Sequence, residues 1–235
     1  GHGLYEQGRM QNGRDLPVSE ALTMAIHESQ SLFWERMIAQ GKLFCARYLP
    51  LVAETFPNNF KGVNPEQFYE AVNVSGPSLI RVEADEVTYP MHIILRYELE
   101  KGLFDGSIQV EHLPEMWNAK MKEYLGVEPP TDTLGVLQDT HWSGGAFGYF
   151  PSYTLGAIYA SQFYQALIRA EPGIEKQIEM GNLAPVREWL GIQIHQQGRL
   201  LSVPALVKRV TGENLNPDHF LDYLKNKYRQ IYRLN

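Results

Sequence analysis

The segment that decides the fold is residues 18–38, VSEALTMAIHESQSLFWERMI. Its apolar residues recur at steps of three, four and seven, which is the spacing of one face of an α-helix. Ser19 stands before the pattern as the expected N-cap, and Gly41 follows it as the expected stop. The segment therefore predicts an amphipathic helix that places the carboxylate of Glu28 at the margin of an apolar stripe.

Apolar spacing predicts helices along most of the remaining chain. They cover residues 65–72, 89–101, 113–125, 153–170, 183–197, 203–210 and 217–232. Asn64-Pro65 and Asn216-Pro217 open two of them, because Asn caps a helix and Pro suits its first position. Gly102 and Gly126 are expected to end two others.

Only one short segment has the pattern of a strand. Residues 78–84, SLIRVEA, alternate apolar with polar side chains after the turn signal Gly76-Pro77. Residues 128–152 hold too much Gly and Pro for a continuous helix and predict a long loop of the kind that often carries function. We predict a mainly α fold with a very small β element, organised as a single helical unit over residues 1–235.

Composition excludes several classes of protein. The 235 residues include 21 basic and 27 acidic side chains, a net charge of −6, which argues against a nucleic-acid partner or an anionic membrane surface. No apolar run approaches the length of about 18 residues that suggests a membrane span. Residues 1–10 lack the apolar core of a signal peptide. The single Cys45 excludes an internal disulfide framework and fits a reducing compartment.

Four short clusters concentrate residues that carry chemistry. They are HGLYEQG at 2–8, HESQ at 27–30, IRVEAD at 80–85 and GVLQDTHW at 135–142. Three of them have a purely structural alternative. Glu28 fits a partly solvated surface position, Asp85 a helix N-cap beside a sheet-edge ion pair, and the last cluster a capped turn with a packed Trp142.

In this order, the four clusters resemble the motifs of the thermostable-type zinc carboxypeptidases, the HExxH metallocarboxypeptidases of peptidase family M32. That family carries an HExGH helix running into a segment like residues 2–8, then HES/GQ, IRxxAD and GxxQDxHW. The resemblance implies the C-terminal half of a helical, deep-cleft metallopeptidase. It also implies removal of C-terminal residues from peptides, with zinc or in some members cobalt, by a cytoplasmic homodimer.

The resemblance implies specific metal ligands and a carboxylate-binding residue. His2 corresponds to the second zinc His and Glu28 to the third ligand, and a fourth position stays open for water. Arg81 is the candidate for gripping the free carboxylate of the substrate, because a guanidinium fork matches carboxylate geometry.

The long loop supplies the other candidates. His141, Tyr149 and Tyr153 are expected to donate hydrogen bonds to the tetrahedral oxyanion. Gln138 and Asp139 are expected to order the histidine or to line the substrate pocket. The remaining histidines are expected on helix surfaces or half-buried; they are His92, His112, His195 and His219.

The sequence also departs from the family pattern. The first zinc His and the general-base Glu of HExGH would stand before Gly1, so we expect these 235 residues alone to be inactive. The alternative from another functional class is a non-catalytic helical module for peptide binding or assembly, derived from such an enzyme.

Overall fold

The computed structural model describes residues 1–234, and their regular structure is helical. The α-helices are α1 (His2–Gly8), α2 (Met24–Leu32), α3 (Lys42–Thr55), α4 (Pro65–Val72), α5 (Tyr89–Asp105), α6 (Leu113–Leu125), α7 (Pro151–Ala170), α8 (Ile174–Glu179), α9 (Ala184–Gln193), α10 (Val203–Thr211) and α11 (Asp218–Tyr232). The predicted mainly α fold class is confirmed.

The chain divides into two compact units. Unit 1 comprises Gly1–Asn73 and Leu155–Asn235, and unit 2 comprises Val74–Thr154. The core of unit 1 gathers buried side chains from α1, α2 and α7 to α11, such as Ile26 and Phe163. Unit 2 has a separate cluster in which Leu99 of α5 packs with Trp117 of α6. The organisation as a single helical unit stays a prediction.

The fold-deciding segment forms a helix that begins later than predicted. The Thr23 hydroxyl accepts a hydrogen bond from the Ile26 N–H (3.3 Å), so Thr23 caps α2. Ser19 does not cap α2 because it lies in the preceding 3-10 turn, Pro17–Ser19, where its hydroxyl donates to the carbonyls of Arg14 and Leu16. After Leu32 the helix continues with π-type hydrogen bonding over Phe33–Ala39.

Local capping signals predict some of the other helix boundaries and miss others. Asn64 and Gln67 form a reciprocal capping box at the start of α4, as the Asn-Pro signal predicts. Gly126 ends α6 with a φ of 69°. Gly102, by contrast, lies inside α5, where the Ile108 side chain packs so closely that it would have to move to admit a Cβ. Its role is packing, which the sequence pattern does not distinguish from a helix stop.

The predicted strand at residues 78–84 is wrong. Arg81–Glu83 form a 3-10 turn, and no strand occurs among residues 1–234. The Gln138 side chain takes the place of a partner strand. Its Oε1 accepts from the Arg81 N–H (2.9 Å), and its Nε2 donates to the Leu79 carbonyl (3.0 Å). These two backbone groups are therefore satisfied without a second strand.

Within residues 1–234, none of the helices has both the length and the apolar composition needed to cross a bilayer.

Candidate functional site

Two predicted metal ligands come together in unit 1. Helix α1 carries His2 and α2 carries Glu28, and the His2 Nε2 lies 3.7 Å from the Glu28 Oε2. Ligand atoms lie about 2.0–2.2 Å from zinc, so two donors at this separation are close enough to share one ion. The pair therefore fits two positions of a metal site. No group of three or more His, Cys, Asp or Glu side chains within residues 1–234 is arranged to hold a metal.

Neighbouring side chains hold this pair in place. The Ser31 hydroxyl donates to the Glu28 Oε2 (3.0 Å). The His2 Nδ1 contacts the Nδ1 of His27 (2.5 Å), whose Nε2 in turn lies 3.0 Å from the Glu6 carboxylate. A hydrogen bond to the second ring nitrogen leaves the first free for a metal, which is the usual arrangement around ligating histidines.

The second group of predicted residues centres on a buried carboxylate in unit 2. The Arg81 Nη2 donates to the Asp139 Oδ1 (2.6 Å), and the Arg96 Nε donates to the Asp139 Oδ2 (2.7 Å). The Arg81 Nη1 also donates to the Tyr89 hydroxyl (2.8 Å). Two guanidinium groups thus share one carboxylate, and the three charged side chains carry a net charge of +1 while largely buried.

Burial and charge act in opposite directions on these groups. Burial opposes ionisation of Asp139, but the hydrogen bond from Arg81 and the charge of Arg96 outweigh it and lower the pKa of the carboxyl group. Burial lowers the pKa of Arg96 to about 10. Burial also opposes the charge of Arg81, yet its hydrogen bond to Asp139 raises the pKa above the ordinary value. Arg81 and Arg96 both stay cationic at neutral pH.

The predicted oxyanion donors border the same cluster. The Nε2 of His141 lies 3.1 Å from the Tyr153 hydroxyl, and its Nδ1 lies 3.8 Å from the Asp139 Oδ1. The centroid of the Tyr149 ring lies 5.4 Å from that of His141 and 5.4 Å from that of Tyr153, so the three rings pack together. Burial is the main cause that lowers the pKa of His141. The imidazole is therefore neutral at pH 7 and can donate from only one of its nitrogens.

Gln138 and Asp139 are engaged with the protein itself. Both amide atoms of Gln138 bind backbone groups, and both oxygens of Asp139 bind arginines. The structure therefore brings His141, Tyr149, Tyr153, Arg81, Gln138 and Asp139 into unit 2, whereas His2 and Glu28 lie in unit 1.

Three functional candidates on α5 were not predicted from the sequence. Tyr89, Arg96 and Glu100 all lie buried in unit 2. A charged residue at position 96 within the apolar run MHIILRYEL was the available signal. The expectation that the spare histidines are surface or half-buried is wrong for His92 and His195. Both are almost wholly buried, and burial lowers their pKa values to about 4.

Comparison with known proteins gives one consistent result. The family model of the carboxypeptidase Taq (M32) metallopeptidases matches residues 1–228 of this chain. Carboxypeptidase 1 of Bacillus subtilis is 45% identical over 234 residues, which are 100% of this chain and 47% of that protein. The chain spans about half the length of the curated relatives it matches.

Solved structures share the fold. The M32 carboxypeptidase of Deinococcus radiodurans superposes with a TM-score of 0.96 at 37% identity, covering 99% of this chain and 47% of that one. Trypanosoma cruzi metallocarboxypeptidase 1 superposes with a TM-score of 0.92 at 39% identity, covering 97% of this chain and 48% of that one. The helices described above are therefore those of the solved carboxypeptidases.

Proposed function

Because this chain belongs to the carboxypeptidase Taq (M32) metallopeptidase family, as its four motifs predicted, we propose that it works in a metal-dependent carboxypeptidase that releases C-terminal amino acids from peptides. The observation that carries the proposal is the buried arginine pair on Asp139. A guanidinium held in place by Asp139 matches the geometry of a carboxylate, and the C-terminus of a peptide is a free carboxylate.

Arg81 is the proposed contact for that carboxylate. Asp139 and Tyr89 hold its guanidinium, so little side-chain entropy is lost when a substrate binds. Arg96 is completely buried and acts through Asp139. Gln138 and Asp139 are therefore proposed to contribute to substrate binding by fixing Arg81.

The metal is proposed to be zinc, with cobalt as a substitute, and His2 and Glu28 are the proposed ligands. When bound there, zinc would supply Lewis-acid polarisation of the scissile carbonyl and activation of a water molecule. The hydroxyl of Tyr153 and the ring N–H of His141 are proposed to donate hydrogen bonds to the oxyanion, with Tyr149 packed against both.

We further propose that the 235 residues by themselves do not hydrolyse peptides. The support is that the described residues present two metal donors and no group of three. The substrates are proposed to be peptides, and the protein is proposed to act as a cytoplasmic homodimer without nucleic-acid or membrane partners. The family resemblance supports the dimer, and the net charge of −6 argues against an anionic partner.

The test uses the protein translated from the complete reading frame that contains these residues, here called the full-length protein. An N-blocked peptide is offered with a free C-terminus or as its C-terminal amide. We expect release of the last residue only from the free acid, loss of release with a chelator, and recovery with zinc or cobalt. No release with any metal would overturn the proposal and favour the non-catalytic peptide-binding module.

Arg81→Met separates carboxylate recognition from metal chemistry. We expect the KM for the free acid to rise by about 30-fold or more, because a buried charged hydrogen-bond partner is lost. Lys122→Met is the matched control, since it removes an exposed cation from the same unit. Equal effects of the two substitutions would contradict the role of Arg81.

A further inference from the structure

Glu100 is a buried carboxylate that the proposed function leaves without a role. It lies on α5, and 7% of its surface is exposed. Its Oε2 accepts a hydrogen bond from the Trp142 indole Nε1–H (2.7 Å), and its Oε1 accepts from the backbone N–H of Gly148. Both partners belong to the loop that connects His141 to Tyr149.

We propose that Glu100 is a positioning residue that holds this loop, residues 142–148, so that His141 and Tyr149 stay in place for the reaction. The proposal rests on the proposed carboxypeptidase function. The two hydrogen bonds fall at the first and the last residue of the loop. A single side chain therefore fixes both ends of the segment that separates the two candidate donors.

The loop needs such a support because its own backbone is permissive. Gly145 and Gly148 both have positive φ angles, of 76° and 71°, a region that glycine enters at little cost. The internal hydrogen bonds of the loop are short-range turns, such as the Gly145 N–H to the Trp142 carbonyl. Ring contacts of Trp142 with Trp117 and of Phe147 with Phe104 hold side chains of the loop, whereas Glu100 supplies the hydrogen bond that fixes its backbone at Gly148.

Helix α5 presents this support as part of a polar face. His92, Arg96 and Glu100 follow one another at intervals of four residues, so they lie on one side of the helix. Arg96 binds Asp139 and Glu100 binds the loop that follows it. The helix thus holds the chain on both sides of His141.

The chemistry of the contact requires a carboxylate. Both partners of Glu100 are N–H donors, so both of its side-chain oxygens must accept. A glutamine has one oxygen and one NH2 group. In Glu100→Gln, the NH2 group therefore faces a donor, and one buried N–H loses its acceptor.

Steady-state kinetics of the full-length protein test this role. We expect Glu100→Gln to lower kcat by about 10- to 100-fold, because a charged hydrogen bond is lost and the donors become mobile. The KM for the free-acid peptide should change by less than about threefold, because Arg81 is held by other groups. Glu98→Gln is the matched control on the same helix, since Glu98 pairs with Lys120 near the surface; it should leave kcat unchanged.

A second variant separates positioning from folding. Trp142→Phe removes one donor, so Glu100→Gln should cost less in that background than in the wild type. Equal losses in both backgrounds, or an unchanged kcat in Glu100→Gln, would overturn the proposal.

The Trp142 indole N–H resonance gives a readout that does not depend on activity. Its shift should move upfield in Glu100→Gln as the hydrogen bond weakens, and an unmoved resonance would overturn the loop contact. Wild-type protein that releases no amino acid would instead overturn the proposed function, and with it the effect on kcat.

Discussion

Replacing Gly156 by alanine tests whether close helix packing sets the position of Glu28, the proposed metal ligand. Gly156 lies buried in α7, against α2. A Cβ added there would lie 2.7 Å from the Glu28 Cβ and 3.1 Å from its backbone carbonyl carbon. Ordinary contacts begin at 3.4 Å, so the atoms around Glu28 must shift by several tenths of an ångström. Because the contact includes the α2 backbone, rotation of a side chain cannot relieve it.

The expected cost follows from two opposing effects. Overpacking costs about 1–3 kcal/mol, whereas alanine favours a helix over glycine by about 1 kcal/mol. We therefore expect Gly156→Ala to lower the free energy of unfolding by about 0–2 kcal/mol. The shift of Glu28 should also weaken zinc binding, because it changes the 3.7 Å separation from His2.

The matched control is Gly191→Ala in α9. No atom lies within 4 Å of a Cβ added at Gly191, so alanine should stabilise the helix by about 0.5–1 kcal/mol. Urea unfolding and zinc competition with a chelating dye, both on full-length protein, measure the two effects. If Gly156→Ala is as stable as Gly191→Ala and binds zinc as tightly as the wild type, the packing argument is refuted.

Three further predictions concern stability. Burial opposes ionisation of Asp85, but hydrogen bonds from Thr88 and Ser75 outweigh it and lower its pKa below 3.8. The wild type should therefore have a higher free energy of unfolding than Asp85→Asn above pH 3.8. This difference should shrink as the pH falls through the lowered pKa. Asn64→Ala should cost about 0.5–2 kcal/mol in urea unfolding, because it removes the capping box of α4. Leu99→Ala should lower the free energy of unfolding by about 2–5 kcal/mol, because Leu99 is completely buried. The control Leu51→Ala, at an exposed site, should change it by no more than about 0.5 kcal/mol, and equal losses would contradict the core assignment.

The histidines show why the site was only partly predictable. His2 and Glu28 could be named as candidate ligands because each stands in a short contiguous motif, and that assignment stays a prediction. His92 and His195 were assigned to exposed or half-exposed positions, since nothing within a few residues of either marks burial. Their environments are built by distant segments, as when the His195 Nε2 lies 2.9 Å from the side-chain oxygen of Gln30. Local spacing carries no information about such pairs.

The strand error has a similar cause. Residues 78–84 alternate correctly for a strand, but a strand exists only where a second backbone supplies hydrogen bonds. The Gln138 side chain, 57 residues beyond Arg81, supplies them instead. A side-chain amide that mimics a backbone leaves no trace in the pattern of the segment it binds.

The sequence by itself determined the helical class, most helix termini with local caps and the order of the four motifs. These depend on residues within a turn or two of one another, where spacing and capping chemistry act directly. Only the tertiary structure decided that Arg96 shares Asp139 with Arg81 and that Glu100 binds the loop after His141. It also decided that Gly156 packs directly against Glu28, where a Cβ would clash. The reason is physical: burial, charge pairing and close packing arise between groups far apart in the chain, and their energies exist only after folding has brought those groups together.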